Sequence, residues 1–275
     1  SKITFIKKNV FNGCHGFTGS LLIPNNVSEI YNYAFYGCYG FTGSLSIPEN
    51  VQRIYEYSFS NCKGFNGTLT FPPKLEYLDG SAFSGCNGFI GDLTIPNIRV
   101  IEERTFLDCS GFNGFLTIPD SVEQINEYAF SGCSHLIGSL KIPSKITNIQ
   151  QGAFSGCSGF TGTLEFPFNL TTIHESAFYD CSGLSGTLNI PEGVKIIKDY
   201  AFYNCINFDS LHLPQSLLSL GKSSFEKCTK ISGNLHIQNG IRDIGESCFS
   251  ECTGFSGTLS IPETINCIKR YTFNG

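Results

Sequence analysis

The sequence predicts an α/β repeat solenoid made of about twelve copies of one unit of 23 or 24 residues. Phenylalanine recurs twelve times in the same phase, and a cysteine follows three residues after eleven of these phenylalanines. A fixed period of this length indicates a repeat architecture, in which each unit packs on its neighbours. The cysteines are Cys14, Cys38, Cys62, Cys86, Cys109, Cys133, Cys157, Cys181, Cys205, Cys228 and Cys252.

The L-x-I segment of each unit predicts a short β-strand. In Leu45-Ser46-Ile47, the middle residue must point away from its two neighbours, as alternation with period two requires. The proline that follows, here Pro48, has no backbone N–H group and therefore ends the hydrogen-bonded ladder. Each unit is expected to turn a corner there.

The second apolar segment, V-x-x-I followed by x-x-x-A-F-x-x-C, has a spacing of three that predicts a turn of α- or 3₁₀-helix. A glycine two residues before each L-x-I strand is expected to form a corner with positive φ. Two units are one residue shorter, after Pro96 and at Asp209, and both deletions are expected in corners. The glycines are Gly19, Gly43, Gly67, Gly91, Gly114, Gly138, Gly162, Gly186, Gly233 and Gly257.

A solenoid has no central core, so residues 1–275 are predicted to form one elongated domain rather than two globular ones. The chain begins partway through a unit and contains no methionine, which favours a segment of a longer protein. No apolar run reaches the 18 residues that suggest a membrane span. The net charge of -5 and the lack of a basic stripe argue against a nucleic-acid partner.

Eleven of the thirteen cysteines share one phase, so they are expected to stack as small buried thiols. Disulfides and metal sites remain alternatives, but the spacing lacks the C-x-x-C pairs that zinc sites use. We therefore expect no cofactor and no metal. Cys248 replaces the small residue before phenylalanine, whereas Cys267 lies at an outward position and is expected to be the reactive thiol.

The repeated L-x-I-P, V-x-x-I and A-F-x-x-C segments resemble the BspA-like (treponemal-type) leucine-rich repeat along the whole chain. The resemblance implies a right-handed superhelical arc, with a parallel sheet of L-x-I strands on the concave face and short strands and 3₁₀ or helical turns on the convex side. It also implies cell-surface proteins of bacteria and mucosal protists that adhere to host tissue, matrix proteins or other microbes.

Outward positions of the L-x-I strands carry mostly hydroxyl groups, which suit the exposed face of a half-buried strand. Among the residues that depart from this background, six are candidates for ligand contact on the concave face. They are Phe115, Lys141, Glu165, Asn189, His212 and His236. The alternatives are that Phe115 is an incidental surface residue or is partly tucked inward, and that the other five form a solvated polar face. His212 and His236 are expected one rung apart, but two histidines without a third ligand make a weak metal site.

The residues contain no unique catalytic constellation, so we expect a non-enzymatic binding module at the cell surface. Its expected partner is a protein or glycoprotein of host, matrix or microbial origin. The alternative is a structural or ice- or crystal-binding solenoid with a hydroxyl-rich strand face. Three glycosylation sequons, at Asn26, Asn66 and Asn169, can accept a glycan only if the protein is exported.

Overall fold

The computed structural model describes residues 2–275, whose contacts divide into two compact units, Ser1–Ile137 and Gly138–Gly275. Each unit is a solenoid of parallel strands, as predicted. From Leu45 to Ile244, each repeat contributes a first strand from L-x-I and a second strand from V-x-x-I, whereas the Leu21-Leu22-Ile23 segment forms no strand. The prediction of a single domain over 1–275 stays a prediction.

The first unit contains the strands β1 (Phe5–Ile6), β2 (Glu29–Ile30), β3 (Leu45–Ser46), β4 (Arg53–Ile54), β5 (Leu69–Thr70), β6 (Tyr77–Leu78), β7 (Leu93–Thr94), β8 (Val100–Ile101), β9 (Leu116–Thr117) and β10 (Gln124–Ile125). The second unit contains β11 (Leu140–Lys141), β12 (Asn148–Ile149), β13 (Leu164–Glu165), β14 (Thr172–Ile173), β15 (Gly186–Asn189), β16 (Ile196–Ile197), β17 (Phe208–His212), β18 (Ser219–Leu220), β19 (Gly233–His236), β20 (Asp243–Ile244) and β21 (Phe255–Ser260).

The second strands form the longer ladders. In the first unit, β1, β2, β4 and β6 pair in that order, and β8 pairs with β10. In the second unit, β12, β14, β16, β18 and β20 form one five-stranded sheet. Each of these strands ends in a buried isoleucine or leucine that aligns with the same residue of the next repeat, as Ile173 does with Ile197. The V-x-x-I segment is therefore extended rather than helical.

The predicted α/β class and the predicted helical or 3₁₀ turns are wrong, because the described residues contain strands and turns but no helix of either kind. The A-F segment forms a series of turns in which the residues two before and two after phenylalanine have positive φ, as at Tyr57 (56°) and Asn61 (60°). Single left-handed residues cannot continue a right-handed helix. Backbone N–H groups instead alternate between their own turn and the next repeat: Ser58 donates to Tyr55, whereas Phe59 donates to Ala82.

Phenylalanine and cysteine stack along the core of each unit. Phe202 is fully buried and lies parallel to Phe178 and Phe225, with ring centroids 5.3 Å away in both directions. The cysteine that lies three residues after the core phenylalanine donates its thiol hydrogen to the phenylalanine carbonyl of the preceding repeat. Cys228 Sγ, for example, donates to the Phe202 carbonyl at 3.2 Å. All thirteen cysteines are unbridged, and ten of the eleven in-phase thiols are buried, Cys14 being half-buried.

The glycine corners follow two different rules, so the positive-φ prediction is correct for only some of them. Gly91 has φ of 82°, whereas Gly114 one repeat later does not have positive φ. A Cβ atom added at Gly114 would collide with Asp92 Oδ1, so close approach rather than backbone conformation requires glycine there. Positive φ occurs at Gly19, Gly43, Gly91, Gly138, Gly186 and Gly233, and not at Gly67, Gly114, Gly162 and Gly257.

This alternation groups the first strands in pairs. Hydrogen-bonded ladders join β3 to β5, β7 to β9, β11 to β13, β15 to β17 and β19 to β21. In each pair, the earlier repeat has the glycine of positive φ and the later repeat does not. The repeating structural unit on this side is therefore two sequence repeats long.

Both one-residue deletions fall in corners, as predicted. After Pro96, the turn closes with an Ile98 N–H bond to the Pro96 carbonyl, one residue shorter than the Val51 to Pro48 turn. At the second deletion, Asp209 stands where glycine is expected, and the β15–β17 register shifts between Gly186 and Thr187 to accommodate it. Asp209 belongs to the later repeat of its pair and does not have positive φ, so its side chain causes no backbone strain there.

We expect Phe202→Ala to lower the free energy of unfolding by about 3–5 kcal/mol, because the neighbouring rings can only partly fill the cavity. Chemical denaturation followed by circular dichroism measures this loss. Phe168→Ala is the matched control, since Phe168 is 85% exposed and its truncation leaves no cavity. Equal small losses in the two variants would contradict the stacked core.

Stability is expected to fall above about pH 9. Burial raises the pKa of the Cys86 thiol to about 12 from its ordinary 9.0. Between these values the unfolded thiol loses its proton while the folded thiol keeps it, so the free energy of unfolding decreases as pH rises. Urea unfolding with a reductant at about pH 8 and about pH 10.5 tests this, and Cys86→Ala should weaken the dependence. A pH-independent midpoint would contradict it.

Thiol labelling should distinguish Cys267, which is exposed, from the buried in-phase cysteines. Under native conditions a maleimide is expected to modify Cys267 first, followed by the half-buried Cys14. All thirteen should react in denaturant without prior reduction, as mass spectrometry can count. Rapid native labelling of Cys133 or Cys181 would be inconsistent with a closed core.

Candidate functional site

Phe115 lies on the outward side of the first strands in the first unit, as predicted, with 57% of its surface exposed. Both polar groups of its backbone are hydrogen-bonded to the preceding repeat. The Phe115 N–H donates to Asp92 Oδ1 at 2.8 Å, and its carbonyl accepts from the Leu93 N–H at 2.9 Å. The exposed ring therefore sits on a fixed backbone and does not tuck into the core.

The structure adds Ile137 to this site. Ile137 is 38% exposed and forms an isolated parallel bridge with Phe115, so two apolar side chains lie in adjacent repeats. Sequence reasoning missed Ile137, although a signal existed: most other repeats have threonine, asparagine or serine at its position, before the corner glycine. An exposed aromatic beside an exposed aliphatic residue forms a small apolar patch that a ligand can cover.

The hydroxyl groups on the strand face bond to one another within the strand pairs. The Thr70 and Ser46 hydroxyls are 3.2 Å apart, and Ser210 Oγ donates to Thr187 Oγ1 at 2.9 Å. In other repeats the outward side chain accepts a backbone N–H of the next repeat, as Ser139 Oγ does from Thr163 at 3.1 Å. These hydroxyls stabilise the corners and do not form the uninterrupted rows that an ice-binding face requires.

The five polar candidates all lie in the second unit, and all are exposed. Strand pairing divides them into groups. Lys141 aligns with Glu165 across β11 and β13, Asn189 aligns with His212 across β15 and β17, and His236 aligns with Ser260. Because adjacent pairs are not joined by ladder hydrogen bonds, the predicted stripe is a series of two-residue groups.

A groove lies between β17 and β19, where the ladder is interrupted. Its lining includes His212 and His236, together with Ser210, Asn234 and Gln238. Gln238 closes one end, since its Nε2 donates to the Leu213 carbonyl at 3.1 Å and its Oε1 accepts from Gln215 at 2.7 Å. The groove presents imidazole, amide and hydroxyl groups, which can exchange hydrogen bonds with a polar ligand.

Within residues 2–275, no three histidine, cysteine, aspartate or glutamate side chains come together as ligands for a metal ion. The same part of the chain contains no helix of the length and apolarity needed to cross a bilayer. The sequons also differ in access: Asn66 is exposed and its Oδ1 accepts the Gly43 N–H, whereas Asn169 is half-buried. The predictions of no metal and no cofactor stay predictions.

Solved structures support the fold. A leucine-rich repeat protein from Bacteroides ovatus matches with a TM-score of 0.60 and 24% identity, covering 96% of this chain and 78% of its own. A leucine rich cell surface protein from Faecalibacterium prausnitzii matches with a TM-score of 0.59 and 24% identity, covering 95% of this chain and 84% of its own. A leucine-rich repeat protein from Eubacterium ventriosum matches with a TM-score of 0.57 and 16% identity, covering 94% of this chain and 88% of its own. At these identities the likeness shows the fold alone.

No curated protein sequence matches this chain. The model of the BspA type leucine rich repeat region, in contrast, matches residues 1–113, 114–187 and 184–275, which together span the chain. The recurring L-x-I-P, V-x-x-I and A-F-x-x-C segments and the stacked phenylalanine and cysteine side chains are thus features of a known repeat. The chain belongs to the BspA-type leucine-rich repeat family.

Proposed function

We propose that this chain is a non-enzymatic cell-surface module that binds a protein or glycoprotein of host, matrix or microbial origin. The observation that carries the proposal is the exposed Phe115–Ile137 pair, which is anchored by backbone hydrogen bonds and does not contribute to the core. Aromatic residues of this kind are frequent energetic centres of protein interfaces. Family membership supports a binding role, since repeat solenoids commonly present extended recognition surfaces.

The second unit supports the same proposal with polar groups. Lys141, Glu165, Asn189, His212 and His236 are exposed at positions where the strand face otherwise carries hydroxyls. They add charge and hydrogen-bonding capacity without serving the core. A cell-surface location fits a module of this kind, and one protein with the same fold is described as a leucine rich cell surface protein. We treat the two units as separate contact regions.

Binding is expected to be separable from folding. Phe115→Ser should leave the melting curve nearly unchanged but weaken binding by about 2 kcal/mol if Phe115 is a hot spot. Surface plasmon resonance against immobilised matrix proteins, mucosal glycoproteins and glycans would identify a ligand and measure the loss. Lys141→Thr with Glu165→Thr tests the second unit in the same way.

Phe168→Ser provides the matched control, because it removes an exposed phenylalanine from a corner outside the strand face. Its affinity is expected to equal that of the unmodified chain. If Phe168→Ser weakens binding while the substitutions at Phe115, Lys141 and Glu165 have no effect, the ligand binds a different face and the proposed site is wrong.

A further inference from the structure

A second surface, outside the first strands, is rich in tyrosine. Seven of the twelve tyrosines lie between residues 31 and 77, on the second strands and the turns around A-F. Their rings stack from one repeat to the next: Tyr33 lies parallel to Tyr57 at 5.0 Å, and Tyr31 lies parallel to Tyr55 at 4.9 Å. This ladder is half-buried, so its outer parts remain open to solvent.

The second unit shows what a tyrosine of this kind can bind. Tyr200 occupies the same turn position as Tyr57, two residues before the core phenylalanine, and both have positive φ. The Tyr200 N–H donates to the Lys222 carbonyl of the next repeat, and the Lys222 ammonium lies 5.7 Å from the centre of the Tyr200 ring. Such a contact is a cation–π interaction. Tyr203 likewise lies under Lys227, at 5.2 Å.

The position that holds Lys222 next to Tyr200 is occupied by a glycine next to Tyr57. The Tyr57 N–H donates to the carbonyl of Gly80, which is therefore the structural equivalent of Lys222. One face of the Tyr57 ring is stacked on Tyr33. In the next repeat the equivalent turn position holds Ser81, which follows Gly80, so neither residue there has a large side chain. Across the described chain, no lysine or arginine lies over this ring.

The charges around Tyr57 favour a cation. Glu56 precedes the tyrosine, Asp79 precedes Gly80, and Glu102 lies one repeat further on. None of these three carboxylates forms an ion pair with another side chain in the described part of the protein. Two of these carboxylates also act on Tyr77. Its pKa is raised to about 12, mainly by burial and then by the negative charges of Asp79 and Glu102. Arg53, the nearby cation, lies beside Tyr55.

We infer that the face of Tyr57 turned to the next repeat, in a part of the first unit that carries Glu56, Asp79 and Glu102, binds a lysine or arginine side chain from an exposed basic segment of a partner protein. The partner's cation takes the place that Lys222 occupies over Tyr200 in the second unit. It stacks on the ring, and the carboxylates offset its charge; Glu102 accepts a hydrogen bond from Asn126 and Asp79 one from the Gly80 N–H, but none of the three has a cationic partner among the described residues. This surface is distinct from the Phe115 region and does not depend on the function proposed for it.

A labelled peptide of alternating glycine and lysine, titrated by fluorescence anisotropy at low ionic strength, tests the inference. We expect Tyr57→Ser to raise Kd about three- to fivefold, the range that follows from an exposed cation–π contact. Serine is tolerated in this turn, since Ser81 and Ser223 occupy the same position with positive φ. The matched control is Tyr200→Ser, which should leave Kd unchanged because Lys222 already covers that ring.

Two reciprocal variants test whether the two turns are equivalent, whereas the charge-neutral Tyr57→Ser and Tyr200→Ser pair separates this site from general attraction of a cationic peptide to an acidic protein. Gly80→Lys places an ammonium over Tyr57 and should weaken binding, whereas Lys222→Gly uncovers Tyr200 and should add a second site. A Cβ at Gly80 approaches the Glu103 carbonyl to 3.0 Å, so melting curves must accompany that variant. If Gly80→Lys does not fold, the Kd values of Tyr57→Ser and Lys222→Gly are sufficient to test the inference.

Three results would overturn the inference. The first is an unchanged Kd in Tyr57→Ser, and the second is an equal loss in Tyr57→Ser and Tyr200→Ser, which indicates non-specific attraction. The third is Tyr57-dependent binding of a neutral oligosaccharide together with no binding of the lysine peptide, which would identify the tyrosines as a sugar platform. A selective loss in Tyr57→Ser, with a gain in Lys222→Gly, supports the inference.

Discussion

Hydrogen bonds between the backbones of successive repeats are the constraint on which this protein depends. The A-F segment is not a helix, so its backbone groups cannot all be satisfied within their own turn. Alternate N–H groups bond to the next repeat instead, as Phe59 does to Ala82. Each repeat is stable only when its neighbour presents the same backbone at the same height, which explains why the period tolerates deletions only in corners.

The recurrence of phenylalanine and cysteine follows from this constraint. Because repeats superpose directly, like residues meet like residues, and a flat ring stacks on its own copy without a gap. The Phe35 carbonyl accepts two bonds, from the Cys38 N–H in its own turn and from the Cys62 thiol of the next repeat. Cysteine therefore fills a small space while also satisfying a buried carbonyl, which alanine or valine cannot do.

Outward positions are released from this requirement, and they carry the differences between repeats. Phe115 and Ile137 form an exposed apolar patch, and the polar residues from Lys141 to His236 occupy the strand face of the second unit. On another side, Tyr57 and Tyr200 occupy identical turns but differ in the residue that follows on the next repeat. One scaffold can thus present several chemically distinct surfaces, because the core requires only the inward residues to recur.

The sequence by itself determined the period, the repeat solenoid, the buried phenylalanine and cysteine stacks, and the outward direction of Phe115 and its polar counterparts. These follow from spacing and polarity, which are local properties of each unit. The tertiary structure decided what depends on the neighbouring repeat: that V-x-x-I is a strand, that the A-F segment turns without a helix, and that Gly91 needs positive φ whereas Gly114 needs room beside Asp92. It also decided that Ile137 joins Phe115 and that Gly80 leaves Tyr57 uncovered, because only the alignment of one repeat on the next brings these residues together.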